Sequence, residues 1–400
     1  MRRLYSVLVV FSLVFTAMQT LAQSIPSVNR SSAGEVEQRA RAILQQMTLE
    51  EKIDLLGGVD GFFIRSIERL KLPRIKMADG PVGVRNFGPA TSMAAGIALA
   101  ATWNPALAEE VGREIGRDAR AKGVHVLLAP GVNIYRAPMN GRNFEYFGED
   151  PFLAARMSVG YVKGVQSQGV SATIKHFMGN NSEFDRHNVD SVIDERTMRE
   201  IYLPAFEATV KEARVGAVMD SYNLTNGIRM TEHTYLNSQI LKKEWGFDGI
   251  LMSDWSSTYD GIAAANGGMD LEMPSGRFMN KETLIPAIKS GKVSEATIND
   301  KVLRILRKTI EYGWMDRDQT DFSIPRFNQQ ARRVALQGAR ESMVLLKNDR
   351  NTLPLNKQQT RSIAVIGPNA HPAQAAGGGS AHVRPFASVS FLEGLSNYLG

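Results

Sequence analysis

The residues that could do chemistry in this chain recur at the ends of short apolar runs. IKMAD (75–79) closes on Asp79, VHVLLAP (124–130) leads to Arg136, and SATIKHF (171–177) carries adjacent Lys175 and His176. GAVMDSY (216–222) supplies Met219 and ends in Tyr222, GILMSDW (249–255) ends in Asp254 and Trp255, and GMDLEMP (268–274) contains Glu272. Arg85 follows Asp79 on the turn ADGPVGVR, and Arg142 sits among aromatics and acids in GRNFEYFGEDP (141–151). Carboxylates and Arg, Lys or His side chains clamp hydroxyl groups, and an aromatic ring covers an apolar sugar face, so the set suits a polyol ligand.

Other chemistries find less support. The six histidines (125, 176, 187, 233, 371 and 382) form no HExxH or similar pair, so no metal site is expected. There is no GxSxG elbow, and the absence of cysteine removes thiol nucleophiles, thiolate metal sites and disulfides. GGGS (377–380) lacks the Lys-Ser/Thr that completes a phosphate-binding loop.

The elements that must position these residues alternate. Helical patterns such as AEEVGREIGRDARAKG, AARMSVGYVKGVQSQG, EHTYLNSQILKKEW and the 294–312 segment lie between the apolar runs. Strand, helix, strand at this spacing implies a parallel sheet with crossover helices, and carried over residues 23–318 it predicts a (β/α)8 TIM-like barrel. In such barrels the working residues sit at the carboxyl ends of the strands. A helical VEQRARAILQQM precedes TLEEKIDLLGG, where Thr48 and Glu51 have capping-box spacing. Residues 319–360 read as a polar linker with one helix, and RSIAVIGPNA opens the beginning of a second α/β sandwich domain, with a buried strand over 362–366. The stretch 361–400 is too short for a core of its own, so that domain is expected to be incomplete.

Residues 1–22 have the layout of a secretory signal peptide: Arg2 and Arg3, an apolar run, then small residues ending at Ala22. A periplasmic or secreted protein is expected, with no membrane association after cleavage. Without the two leader arginines, 45 basic residues stand against 41 acidic ones, scattered and without aromatic interleaving, which argues against nucleic acid as a partner. Oligomeric state is not legible.

Nine motifs in order, MTLEEK, DGPVGVR, GRNFEYFGEDP, IKHFMGNN, DERTMREIYLPAF, VMDSYNLTNG, GFDGILMSDW, GMDLEMP and IAVIGPNA, make the chain resemble glycoside hydrolase family 3, of the β-glucosidase/β-xylosidase type. The resemblance implies a retaining exo-acting β-glycosidase that removes terminal β-D-glucosyl residues through a covalent glycosyl-enzyme, with no cofactor. It implies that Asp254 is the catalytic nucleophile and that Asp79 and Arg85 bind distal hydroxyls. Arg142, Lys175 and His176 would clamp the remaining hydroxyls. Met219, Tyr222 and Trp255 would wall the first subsite, and Ser380 would reach over from the second domain. The family's usual general acid/base, a glutamate of the second domain, is expected beyond residue 400. Alternatives are a β-xylosidase, a β-N-acetylglucosaminidase using Asp185 and His187, or a sugar-binding but catalytically silent module. The loop KHFMGNNSEFDRH departs from the KHFPGHG form of the N-acetylglucosaminidase branch. Glu149 and Asp150 read as loop residues, and Asp220, Asp270 and Glu272 as structural supports.

Overall fold

The computed structural model describes residues 32–399, so the leader expected over 1–22 lies outside the described residues. Two helices open the fold, α1 (Ala33–Gln46) and α2 (Leu49–Leu55). Thr48 caps α2 as its spacing demanded: its hydroxyl accepts the Glu51 N–H while the Glu51 carboxylate accepts the Thr48 N–H.

One curled sheet of seven strands follows, in the spatial order β1 (Gly58–Val59), β2 (Phe63–Ile64), β3 (Ile75–Asp79), β4 (Val126–Leu128), β5 (Ser171–Phe177), β7 (Ala217–Asp220) and β10 (Ile250–Met252). From β3 to β10 every pairing is parallel. A small second sheet, β6 (Asp190–Ser191), β8 (Leu224–Thr225) and β9 (Ile228–Arg229), lies on the loops.

The (β/α)8 expectation holds only in part. β2 runs antiparallel between β1 and β3, with no α-helix between them and only a short 3-10 turn, Glu68–Leu70, before β3. Three residues, 60–62, join β1 to β2, whereas a parallel return needs a crossover of a dozen or more. Asp60 and Gly61 both take left-handed φ values, 48° and 79°, and make the hairpin. GMDLEMP forms no regular strand. Leu271 and Glu272 contribute single bridges to Met252 and Gly57, which tie the two edges of the curled sheet together.

Side-chain alternation explains the layering. Met77, Val126, Leu128, Ala217, Met219, Ile250 and Met252 belong to one buried apolar cluster. Their strand neighbours Ala78, Leu127, Ala172, Ile174, Val218 and Leu251 belong to another, which includes residues of α3 (Pro105–Ala121) and α4 (Pro151–Gln166). Period-two alternation thus sends successive residues to opposite faces of the sheet. Helices α3 and α4 cross closely on glycine: a Cβ at Gly112 would stand 2.1 Å from the Tyr161 carbonyl, and one at Gly164 2.0 Å from that of Glu109.

The beginning of the second domain differs from expectation. Residues 362–366 form no strand, and Ile366 is 93% exposed. A buried strand needs neighbours to pair and cover it, and no described segment lies alongside. The final helix, α6 (Phe391–Leu399), buries none of its residues, whereas α5 (Gln329–Glu341) packs on α3. Of the described residues after 360, the stretch around 375–384 docks on the sheet domain. The Ser92 hydroxyl donates to the Ala375 carbonyl and the Ala90 N–H to that of Arg384, and Ala381 and Val383 enter the core. No helix of the described residues is long and apolar enough to cross a membrane.

The close crossing makes a stability prediction. Gly112→Ala should destabilise the protein by about 1–3 kcal/mol, because two helix backbones must separate. Gly34→Ala, in α1 where nothing lies within 4 Å, should not destabilise and serves as the control. Urea denaturation of both variants measures the difference.

Candidate functional site

The carboxyl ends of the parallel strands converge on one cavity of about 530 Å³. β3 delivers Asp79, whose Oδ2 accepts from Arg85 Nη1 at 2.7 Å. The turn between them folds back, with the Arg85 N–H on the Asp79 carbonyl. β5 delivers Lys175 and His176. Adjacent residues of a regular strand face opposite ways, but the pairing of β5 with β7 shifts register between Lys175 and Phe177, and both side chains line the cavity. β7 contributes Met219 and, just beyond it, Tyr222; β10 leads directly to Asp254 and Trp255.

Two buried cations are shared among three carboxylates. Lys175 Nζ stands 3.9 Å from Asp79 and 3.8 Å from Glu145. Arg142 Nε donates to Glu145 at 2.6 Å, and its Nη1 lies 3.8 Å from Asp254. Burial disfavours the Glu145 charge, but Arg142 and Lys175 outweigh it and hold that carboxyl below the usual glutamate range. Glu145 also accepts from the Ser380 hydroxyl at 2.7 Å, which brings Gly378, Gly379 and Ser380 over the cavity.

Asp254 is hydrogen-bonded through one oxygen and only approached, by Arg142 and His176, at the other. Its Oδ1 accepts the Trp255 N–H at 2.7 Å, while Oδ2 has no hydrogen-bond partner. Burial pushes this carboxyl up, and Arg142, Lys175, the Trp255 N–H and the Tyr222 hydroxyl pull it part of the way back. His176 Nε2 lies 3.6 Å from Oδ2 and is also unpartnered. Burial, then Arg142 and Lys175, keep the imidazole neutral. Its Nδ1 meets the Tyr146 hydroxyl at 3.1 Å, and that oxygen receives the Asn180 amide. Asn133 Oδ1 lies 3.4 Å from the same ring nitrogen, so Nδ1 faces a hydroxyl and an amide oxygen while Nε2 is turned toward Asp254 and the cavity. Trp255 is fixed by its indole N–H on the Gly61 carbonyl at 3.0 Å and by Phe62, 5.1 Å between ring centres. The hairpin that breaks the barrel pattern is thus what orients this wall.

All ten residues singled out in the sequence (Asp79, Arg85, Arg142, Lys175, His176, Met219, Tyr222, Asp254, Trp255 and Ser380) border the cavity. Two strand-end residues point elsewhere: Arg136 donates to the Tyr202 hydroxyl, and Glu272 accepts backbone N–H groups of Arg277, Phe278 and Met279. Asp150 caps α4 through the Leu153 N–H. Asp270 binds Lys242 and the Leu251 N–H, and Asp220 is buried against Asn237. His187 Nδ1 bonds the Tyr259 hydroxyl at 2.6 Å, and Asp185 accepts from Asn188, so no direct hydrogen bond links the two residues weighed as an N-acetylglucosaminidase pair.

Sequence reading passed over Glu183, Arg186, Phe62 and Phe144, which also border the cavity, and Glu145, buried behind it against Arg142, Lys175 and Ser380. Glu145 had one available signal, its place three residues after Arg142, which a single helical turn brings together. Arg186 lies 3.8 Å over the Tyr222 ring and pairs with Glu183 at 2.8 Å. Both come from an irregular loop whose path no periodicity foretells. No cluster of metal-ligating side chains occurs among the described residues.

Residues 42–308 match the N-terminal domain of glycosyl hydrolase family 3, and residues 343–400 match that family's C-terminal domain. The chain belongs to glycosyl hydrolase family 3. Within that family it is 46% identical over 363 residues to a β-glucosidase of Rhizobium radiobacter, covering 88% of this chain and 44% of that protein. It is 43% identical over 358 residues to thermostable β-glucosidase B of Acetivibrio thermocellus, covering 86% and 46%. The chain spans less than half the length of these curated relatives. The structure of the β-glucosidase from Kluyveromyces marxianus in complex with glucose superposes with a TM-score of 0.86 at 35% identity, over 90% of this chain and 45% of that one. DesR, a β-glucosidase from Streptomyces venezuelae in complex with D-glucose, superposes with a TM-score of 0.85 at 36% identity, over 90% and 49%.

The opposed shifts of Asp254 and Glu145 predict opposite effects on stability. The folded state raises the Asp254 carboxyl, so it binds more protons than the unfolded chain there, and stability falls as pH rises through the shifted value. Asp254→Asn should melt higher than the unmodified protein at pH 7, with the gain vanishing in acid. Glu145 is held low, so its contribution is present above the ordinary carboxyl range and lost as pH falls through the folded value. Glu145→Gln should melt lower at pH 7. Calorimetric scans at pH 7 and about pH 4 test both signs.

Proposed function

We propose that this chain carries the nucleophile and the sugar-binding half of a retaining β-glucosidase acting on terminal β-D-glucosyl residues. The observation that carries the reading is the unpartnered Oδ2 of Asp254, aimed into a cavity otherwise ringed by hydroxyl-binding groups. In this reading Oδ2 attacks the anomeric carbon and the bond to the leaving oxygen breaks, giving a glycosyl-enzyme that water later hydrolyses. Arg142 and Lys175 favour the ionised carboxylate against its burial, and the neutral His176 presents Nε2 to a sugar hydroxyl. Asp79 and Arg85 bind hydroxyls further from the reacting carbon, and Trp255 with Phe62 covers an apolar face.

The proton donor is a separate matter. A general acid needs a raised pKa, but Glu145 is held low and Asp79 and Glu183 are engaged by Arg85 and Arg186. We assign the acid/base role to a group outside this set, as in the family pattern of a second-domain glutamate. The leader expected over residues 1–22 supports a periplasmic or secreted site of action.

An aryl 2-deoxy-2-fluoro-glucoside with a good leaving group needs little protonation, so the chain should form a trapped glycosyl-enzyme visible by mass spectrometry. Asp254→Ala should slow labelling by about 10³-fold or more, the scale seen for removed nucleophiles. Labelling that persists in Asp254→Ala would overturn the assignment. Glucose binding without any labelling would favour a silent sugar-binding module.

A further inference from the structure

The sugar clamp formed by Asp79 and Arg85 rides on a loop that has little regular structure of its own, and the groups that shape it come from elsewhere. Asp79 ends β3, and its backbone N–H donates to Asn86 Oδ1 at 2.9 Å. Arg85, 39% exposed at its side chain, reaches back to the Asp79 carboxylate. Between and beyond them the chain turns through Phe87 and Gly88, at φ 66° and 99°. Left-handed backbone at a phenylalanine persists only where its surroundings impose it. Lys122 does so. Standing at the end of α3, it sends Nζ to three carbonyls of this loop, Gly88 at 2.8 Å and Val84 and Asn86 at 3.3 Å each. Alternate peptides of the loop thus converge on one ammonium group. The Val84 and Asn86 contacts are part-buried, and a charged donor is the strongest partner such carbonyls can have.

We infer that Lys122, outside the cavity, is a positioning residue that folds the 84–88 loop around its ammonium group and so holds Arg85 and Asn86 on Asp79 for sugar binding. The inference rests on the sugar reading above for its consequence, but not for its geometry. It also carries a pH dependence. The groups facing Nζ are Asp118 on its own helix, Lys76 on β3 and Arg384 on the docked C-terminal stretch. Lys76 Nζ donates to the Lys122 carbonyl, placing a second cation alongside. Burial, with the two cations outweighing little of what Asp118 restores, brings the Lys122 ammonium down to about 8. Above that pH Nζ loses a proton and its charge, and the loop loses its centre.

The test uses this 400-residue chain, with glucose as the probe in calorimetry and hydrogen exchange read on the amides of residues 80–90. Lys122→Met should weaken glucose binding by about tenfold and speed exchange in 80–90 while β4 and β5 stay protected. The unmodified protein should lose affinity between about pH 7.5 and 9.5, and Lys122→Arg, whose guanidinium does not titrate there, should not. Unchanged exchange and affinity in Lys122→Met would overturn the inference, as would the same alkaline loss in Lys122→Arg. If Lys122→Met does not fold, the pH series on the other two proteins still decides it. If the unmodified protein does not bind glucose, the sugar reading fails, and the exchange experiment alone judges the role of Lys122.

Discussion

Two buried cations serve three carboxylates in this molecule, and most of the site follows from that sharing. Arg142 and Lys175 are nearly inaccessible, 8% and 2% exposed, and a buried charge without a counter-charge costs several kcal/mol. Glu145 neutralises both, Asp79 takes part of Lys175, and Asp254 takes part of Arg142. The Arg142–Asp254 contact and both contacts of Lys175 exceed hydrogen-bond length. What remains is attraction without a committed bond, which leaves donors and an acceptor free for a ligand.

The curled sheet makes this sharing possible. Parallel strands begin on one face and end on the other, so each strand end of β3, β5, β7 and β10 adds one or two groups to the same rim. The apolar residues beneath them, Leu128, Met219 and Met252 among others, exclude water from below. The loops then complete the rim at long sequence separation: the Ser380 bond to Glu145 closes a span of 235 residues, and the Trp255 bond to Gly61 one of 194.

Much of this was legible before any coordinates. Short apolar runs located β3 and β5 to the residue, Thr48 and Glu51 located a helix start, and polar strand ends pointed to the pocket. The illegible parts have physical causes. β1 and β2 are two residues each, too short to show a period, and their hairpin is signalled only by Asp60 and Gly61. RSIAVI has the pattern of a buried strand but stays unpaired, because a strand exists only with its neighbours. Arg136 and Glu272 look like site residues by position, yet they satisfy Tyr202 and a turn of backbone N–H groups.

By itself the sequence determined which chemical groups are available and on which elements they ride, because residue type and periodicity act locally. It also determined the family, through nine motifs in order. Only the tertiary structure decided which charges are shared. That Glu145 rather than Glu149 faces Arg142 and Lys175, that one oxygen of Asp254 stays unpartnered, and that Lys122 gathers the loop behind Asp79 all depend on distances between remote segments. Coulombic and hydrogen-bond energies fall steeply over an ångström or two, and no spacing along a chain specifies distance through space at that resolution.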